Sequence, residues 1–342
     1  TLAPAESAQL SFAPAGGAAL PSAAARPWLV INPRSFRASR GGLAHDVAVQ
    51  ARAHGLPVIE ASTLAEFHAV LDRLQIQQAQ QLWVLAGDGT VHAMAQHLAQ
   101  QPEGGWLPSL LLLGGGRANL VPRDCGGYPP WEKFQAALRA QREGRALPEE
   151  RLPTLRVDQA GSPPRHGFVL AGAVINAGIR LCSEHRASGT SWLHRSWIAD
   201  PYCLLRLMLQ VWAGRSPLPS YEHVQVTADG VAAMQAPLRV LMASTLQLRD
   251  GLYNPFAARG VGDVRFTAVA ATARQFWRNL PNILRGRFRD SMTQSEGYLS
   301  GRFTQIDMLG MSGYALDGEM FVTDPTRPVR LTRGVELRVL RP

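Results

Sequence analysis

The sequence predicts an α/β N-terminal domain with a parallel, Rossmann-like sheet, followed by a C-terminal domain built as a β-rich sandwich. In the first half, short apolar runs alternate with helical segments of about ten residues, which is typical of βαβ units. After about Leu152 the runs become shorter and alternate between apolar and polar residues, as antiparallel strands do. The length of 342 residues also favours two domains over one.

The individual elements follow from periodicity and from turn residues. In the first half we predict strands at 28–32, 57–60, 82–86 and 110–113, and helices at 43–54, 64–74 and 91–100. In the second half we predict strands at 155–158, 168–176, 223–228 and 238–244, with one helical segment at 196–212. The domain boundary is expected near residues 145–153, so that the α/β domain covers 26–150 and the β-rich domain begins at 151.

Composition limits the class of protein and its location. A formal charge of +9 favours a polyanionic partner, either a nucleotide, a nucleic acid or an anionic membrane surface. With a single lysine, Lys133, the excess of arginine is explained equally well by genome composition. Because nucleic-acid binding rests on net charge alone, we expect none. Three widely spaced cysteines without a CxxC pair argue against a zinc site or a disulfide framework and suit a reducing compartment.

Hydropathy and the composition of the first 25 residues bear on where the protein is located. No apolar run reaches the roughly 20 residues that cross a bilayer, so we expect a cytoplasmic protein that is soluble or associates peripherally with a membrane. Residues 1–25 are rich in Ala, Pro, Ser and Gly and lack the basic start and apolar centre of a secretion signal. We expect this segment to be a disordered leader outside the fold.

The first candidate site is the loop after the third predicted strand, Gly87-Asp-Gly-Thr90. Gly87 and Gly89 allow close backbone approach and positive φ angles, and a helix opening near Thr90 would aim unpaired N–H groups at an anion. Thr90 is also a plausible helix cap. Asp88 is unusual, because a carboxylate among phosphate donors is unfavourable unless a metal ion or a proton transfer employs it.

Two further loops are expected beside the first. The fourth predicted strand runs into Gly114-Gly-Gly-Arg-Ala-Asn119, which adds glycines, an arginine and an amide suited to phosphate or nucleotide binding. The first strand ends at Asn32-Pro33-Arg34-Ser35. Because the carboxyl ends of parallel strands lie at the same edge of a sheet, we expect the three loops to meet there.

The ordered motifs carry a family resemblance. Ile31-Asn-Pro33, Ala86-Gly-Asp-Gly-Thr90, Gly116-Arg-Ala-Asn119 and Leu316-Asp-Gly-Glu319 resemble, in order and spacing, the diacylglycerol kinase and sphingosine kinase superfamily, lipid-kinase relatives of the NAD kinases. The resemblance spans about residues 27–342. It implies an NAD kinase-like fold with ATP bound between the α/β domain and a β-sandwich at 151–330, and a final segment, 331–342, whose strand returns to the first domain.

The resemblance also implies roles for individual residues. Asp88 would be the base for a lipid hydroxyl, and Glu319 an acidic group near the phosphates and Mg²⁺. Asp317 would serve the metal or shape its turn. The implied substrate is a diacylglycerol-like or a sphingoid or ceramide-like lipid. The residues implied in ATP binding are Asn32, Pro33, Arg34, Gly87, Gly89, Thr90, Gly115, Gly116, Arg117 and Asn119.

Several departures from the family pattern keep alternatives open. The glycine-rich continuation after Asn-Pro is replaced by residues 34–40, which bring arginines and a phenylalanine. Ala93, Arg117 and Arg259 stand where the family has an acidic residue, a Thr or Ser, and an aspartate. The alternatives are a non-catalytic relative that binds lipid or nucleotide, and a soluble-substrate kinase of the NAD kinase type. A metal site built from His92, His97, His185 and His194 is not expected.

Two apolar segments of the second half bear on lipid contact. Residues 274–289 mix arginines with Phe276 and Trp277, and this pattern fits either an anionic membrane surface or an ordinary helix with a solvated charged face. The aromatic and apolar residues of 192–212 fit a lipid pocket or ordinary core packing equally well.

Overall fold

The computed structural model describes residues 26–102, 104–173, 222–249 and 253–342. In these ranges the helices are α1 Leu43–Ala53, α2 Leu64–Ile76, α3 Asp88–Ala99, α4 Leu120–Asp124, α5 Pro130–Arg142 and α6 Phe276–Ile283. The strands of the first half are β1 Trp28–Ile31, β2 Val58–Glu60, β3 Gln81–Ala86 and β4 Ser109–Gly114. The later strands are β5 Glu149–Gln159, β6 Arg165–Gly167, β7 Val169–Gly172, β8 His223–Ala228, β9 Val231–Ser244, β10 Val264–Ala270, β11 Tyr298–Phe303, β12 Gln305–Leu309, β13 Gly313–Leu316, β14 Glu319–Val322 and β15 Val329–Leu340.

The first half is a parallel sheet in the order β2-β1-β3-β4, covered by helices on both faces. Alternation along β3 explains the two layers, since successive strand residues point to opposite faces. Leu82 and Val84 pack in one core with α2 and α3. Trp83 and Leu85 pack in another with α1 and α5. The predicted α/β architecture is confirmed.

The second half is rich in antiparallel strands arranged in two layers, which confirms the predicted fold class. β9 connects the layers, because its first residues pair with β8 and its later residues pair with β7 and β10. Apolar side chains from both layers, including Val226 of β8 and Phe266 of β10, meet in one core. Such interdigitation of two inner faces is what stabilises a sandwich.

The last strand, β15, links the two halves. Its first residues pair antiparallel with β12, and β5 pairs antiparallel with it along its whole length. Arg338 and Val339 pair in parallel with Ser109 and Leu110 of β4, so the chain returns to the parallel sheet. This places the start of the sandwich beside the edge of the sheet at which β4 lies.

Three predicted elements differ from the structure or cannot be compared with it in full. The helix expected at 91–100 begins at Asp88, because Gly87 is its N-cap and the Asp-Gly-Thr segment forms its first turn. The helix predicted at 196–212, and the end of the strand predicted at 168–176, lie outside the described residues. In the described parts of the chain, no helix is both long and apolar enough to cross a membrane.

Candidate functional site

Three loops at the carboxyl edge of the parallel sheet are hydrogen-bonded to one another. They follow β1, β3 and β4, the strands whose carboxyl ends bring them together, as the sequence predicts. The contacts run from Asn32 Nδ2 to Thr90 Oγ1 (3.1 Å), from Gly87 N to Ser35 Oγ (3.2 Å) and from Arg37 N to Gly115 O (2.8 Å). The predicted loop residues therefore form one joined unit.

Close packing between two loop backbones explains the glycines, although not in the way the sequence suggested. The positive φ expected at Gly87 and Gly89 is wrong, since Gly87 has φ −89° and Gly89 lies inside α3 outside the positive-φ region. A Cβ on Gly116 would lie 2.6 Å from the Cα of Gly87, whereas a Cβ on Gly89 would meet nothing within 4 Å. Gly87 and Gly116 are thus required for contact between the loops.

Asp88 occupies the first position of α3 and faces the loop after β4. Its Oδ2 accepts a hydrogen bond from Asn119 N at 2.7 Å, and its Oδ1 accepts one from Val121 N at 3.3 Å. Burial raises the pKa of the Asp88 carboxyl above its ordinary value; these amides oppose the shift and the nearby Asp317 carboxylate adds to it. Each carboxylate oxygen has a second lone pair. Asp88 can therefore accept a further hydrogen bond in addition to the two from the loop.

Asn119 shapes the loop from inside it. The residue is 0% exposed and has a left-handed backbone, with φ 53°. Its Oδ1 accepts from Gly116 N at 2.7 Å and its Nδ2 donates to Gly116 O at 3.0 Å. Because both ends of the amide are used within the loop, the side chain holds the backbone that contacts Asp88. A direct contact of Asn119 with nucleotide stays a prediction.

Arginines at the rim of the loops lie against aromatic rings that the sequence analysis did not assign to the site. The guanidinium groups of Arg117 and Arg40 stack over Phe36 at 4.3 and 3.8 Å from the ring centroid. Arg37 and Arg123 lie over Tyr128 at 5.2 and 4.0 Å. Arg37 and Arg40 are therefore held in ordered stacks, which keep positive charge beside the loops. Arg34 is exposed, and Pro33 lies beside it in the turn.

The Leu316-Asp-Gly-Glu319 motif forms the two-residue turn between β13 and β14. Asp317 has φ 50° and Gly318 has φ 93°, the combination that a tight hairpin of this kind requires. The Asp317 side chain is 5% exposed, and its carboxylate accepts hydrogen bonds from the backbone N–H groups of Phe168 and Val169. These contacts give Asp317 the turn-shaping role. Its role as a metal ligand stays a prediction.

His92 connects α3 to this turn, and the sequence analysis missed it as a site residue. Its Nδ1 lies 2.9 Å from Asp317 Oδ2, and its Nε2 lies 3.8 Å from Glu319 Oε2. Burial alone would lower the pKa of His92, but the Asp317 and Glu319 carboxylates outweigh it and raise the pKa. The available signal was spacing, because His92 follows Asp88 by four residues and so lies on the same face of the helix.

The acidic groups of the site were tested for a fit to Mg²⁺. No group of three His, Cys, Asp or Glu side chains that could hold a metal ion occurs among the described residues. In phosphotransferases, however, Mg²⁺ is commonly held by one or two carboxylates together with substrate phosphates. Glu319, with a side chain 48% exposed, has room for such a ligand. Arg259 is tied elsewhere, since its Nε donates to Ser300 O at 2.9 Å.

Comparison with known proteins gives the same fold. No family model and no curated protein sequence matches the chain. A diacylglycerol kinase structure from Bacillus anthracis str. Sterne superposes with a TM-score of 0.60 at 14% identity, over 93% of this chain and 97% of that one. A structure of a candidate diacylglycerol kinase from the same organism gives a TM-score of 0.63 at 15% identity, with the same coverage. The chain has the diacylglycerol kinase fold.

A similar fold is also found in an NADH kinase. Yeast NADH kinase complexed with NADH superposes with a TM-score of 0.50 at 9% identity, over 93% of this chain and 83% of that one. The predicted resemblance is thereby confirmed for the fold. At these identities the diacylglycerol kinase fold sets the position of the three loops, and the chemistry has to be argued from the residues that they carry.

Proposed function

We propose that this protein is an ATP-dependent kinase that phosphorylates a hydroxyl group of a diacylglycerol-like or ceramide-like lipid. The observation that carries the proposal is Asp88, a carboxylate with a raised pKa held at the centre of three joined loops. The diacylglycerol kinase fold supports the coarser part, a kinase-like protein that uses a nucleotide. The names of the similar structures favour a diacylglycerol-like substrate, and the sphingoid or ceramide-like alternative rests on the sequence motifs.

In this proposal Asp88 orients the attacking hydroxyl and receives its proton. The hydroxyl oxygen forms a bond to the γ-phosphorus while the bond from that phosphorus to ADP breaks, and the released proton passes to Asp88. A carboxyl whose pKa lies above its ordinary value holds a proton more readily than a solvent-exposed one. The N-terminus of α3 would supply N–H donors for phosphate oxygens.

Positive charge near the phosphates comes from two sources in the proposed site. Arg117, stacked on Phe36, lies on the loop that contacts Asp88 and is suited to pair with phosphate oxygens. Mg²⁺, when bound, would offset the charge of the triphosphate, and Glu319 is the residue we propose to hold it. His92 positions Glu319 and Asp317 from α3.

The experiment supplies γ-labelled ATP and Mg²⁺ to the purified protein with a mixed lipid extract, and in parallel with NAD or NADH. The proposal expects label in a lipid. Label in the dinucleotide would show that the substrate is a soluble dinucleotide and not a lipid. Nucleotide binding without any labelled product would favour the non-catalytic alternative, which the substitutions at Ala93 and Arg117 motivate.

A matched pair of variants assigns the chemistry to Asp88. Asp88→Asn keeps the size of the side chain and should lower lipid labelling by about 100-fold or more, because general-base contributions are of this order. Asp72→Asn, on the exposed side of α2, should leave labelling unchanged. Equal rates in Asp88→Asn and wild type, with unchanged urea midpoints, would remove the proposed base.

A further inference from the structure

The segment 274–289 contains a helix with one anchored face. α6 packs Phe276, Asn279 and Ile283 against the sandwich, in a small core with Tyr298 of β11 and Met292. Asn279 Nδ2 donates to the hydroxyl of Tyr298 at 3.2 Å. Because these contacts are made by one side of the helix, its opposite side is fixed toward the outside.

The outward side of α6 carries apolar residues on successive turns. Trp277, Pro281 and Leu284 follow one another at spacings of four and three residues, which places them along one stripe. The side chains of Trp277 and Leu284 are 40% and 38% exposed. The Trp277 ring is held edge-on against Phe276, with centroids 5.1 Å apart. The stripe is therefore ordered and open.

Arginines surround this apolar stripe. Residues 274–289 contain no Asp or Glu, and five exposed arginines: Arg274, Arg278, Arg285, Arg287 and Arg289. The first acidic residues that follow the segment in the sequence are Asp290 and Glu296, and Glu296 lies 3.7 Å from Arg274. Five arginines against these two acidic residues leave a local excess of about three positive charges beside the exposed Trp and Leu side chains.

We propose that the surface formed by Trp277, Leu284 and these five arginines docks the protein onto an anionic lipid membrane. Interfacial helices combine a tryptophan at headgroup depth, aliphatic groups that enter the acyl boundary, and arginines that contact lipid phosphates. The stripe and the arginines around it supply all three on one surface. A nucleic acid would use the arginines but leave Leu284 and Pro281 in water, and a second copy of the chain would bring like charges together.

The proposed docking surface is independent of the proposed kinase reaction, because α6 contributes no residue to the three loops. Binding can therefore be measured without nucleotide, and kinase activity can be measured on lipid dispersed in detergent micelles. A protein that fails to bind vesicles can still be assayed for kinase activity, and an inactive protein can still be assayed for vesicle binding. Failure of the docking proposal and failure of the proposed function are therefore distinguishable.

The test measures co-sedimentation of the full chain with phosphatidylcholine vesicles, with and without phosphatidylglycerol. Wild type should bind the phosphatidylglycerol vesicles, and binding should weaken as salt is raised. Arg278→Gln combined with Arg285→Gln and Arg287→Gln should weaken binding roughly 100-fold, since each arginine near an anionic surface strengthens it about fivefold. Trp277→Ala with Leu284→Ala should weaken it about tenfold or more.

Matched controls come from the other domain. Ile76→Ala removes an exposed apolar residue of α2, and Arg139→Gln with Arg142→Gln removes exposed charge from α5. These controls should bind vesicles as wild type does. Urea midpoints of the α6 arginine variants should match wild type, because these arginine side chains are exposed.

Four results would overturn the proposal. They are equal binding to neutral and anionic vesicles, equal loss in the α5 and α6 arginine variants, tighter binding to duplex DNA than to vesicles, and a wild-type dimer that Trp277→Ala dissociates. The last two would assign the surface to a nucleic acid or to a second copy of the chain.

Discussion

The dipeptide Asp-Gly occurs in both halves of the site and adopts two different structures. Asp88-Gly89 opens the helix α3 after a buried strand, and neither residue has a positive φ. Asp317-Gly318 forms a tight hairpin turn in which both residues have positive φ. The flanking sequence decides between them, because residues 90–99 favour a helix whereas two four-residue strands enclose the second pair.

The side chains of the two aspartates also differ in their surroundings. Asp88 accepts hydrogen bonds from two backbone N–H groups of the loop after β4, and burial raises its pKa, which suits the exchange of a proton. Asp317 is buried, and its oxygens bind backbone amides of Phe168 and Val169 and the ring of His92. One carboxylate is thus available for chemistry, and the other fixes the turn of the sandwich against α3.

Removal of Asp317 should give the largest effect on stability. Asp317→Ala leaves two buried N–H groups and a buried imidazole without their acceptor, and should lower the free energy of unfolding by about 3–5 kcal/mol. Urea denaturation measures the loss. Asp72→Ala, at an exposed site, is the control and should change stability by less than about 0.5 kcal/mol. A loss in Asp317→Ala no larger than in this control would contradict the positioning role.

Disruption of the contact between the loops that carry Gly87 and Gly116 should give the second-largest loss of stability. Gly116→Ala places a Cβ 2.6 Å from the Cα of Gly87, so a backbone must move, and stability should fall by about 1–3 kcal/mol with a weakened affinity for ATP. Gly89→Ala is the matched control for stability, because a Cβ there meets nothing within 4 Å and Ala favours a helix over Gly. Urea denaturation measures the free energy of unfolding of each variant, and titration of wild type and Gly116→Ala with a fluorescent ATP analogue measures affinity. A Gly116→Ala variant as stable as Gly89→Ala would show that the loops need not touch.

The contrast also shows how far the sequence alone could reach. Alternating strands and helices predicted the parallel sheet, and strand order alone placed the loops after β1, β3 and β4 together, because their joining is a property of the topology. The contact of Gly116 with Gly87 and the hydrogen bond from Asn119 N to Asp88 join two different loops, which local pattern does not encode. The partnership of His92 with Asp317 spans 225 residues and was missed for the same reason.

The link between α3 and the turn should depend on pH. The pKa of His92 is raised in the folded protein, so its stabilising contribution is fully present below the ordinary histidine pKa and is lost as pH rises through the raised value. The stability difference between wild type and His92→Gln should therefore be larger at about pH 5.5 than at about pH 9. Arg165 opposes this shift and Glu319 supports it.

Urea denaturation at several pH values measures that difference. Ile76→Ala, at an exposed site without a titratable group, is the control, and its effect should not vary with pH. A constant difference between wild type and His92→Gln across the range would show that the imidazole does not change its charge there.

The smallest expected effect concerns the hydrogen bond that ties the first loop to α3. Thr90→Val keeps the shape of the side chain but removes the oxygen that accepts from Asn32 Nδ2 at 3.1 Å, leaving that amide without this acceptor. Stability should fall by about 1 kcal/mol, the usual size for one such bond. Asn32→Ala removes the other partner, and the double variant should lose less than the sum of the two single losses, since the shared bond is counted once. Additive losses in urea denaturation would mean that the loop after β1 is held to α3 by its backbone contacts alone.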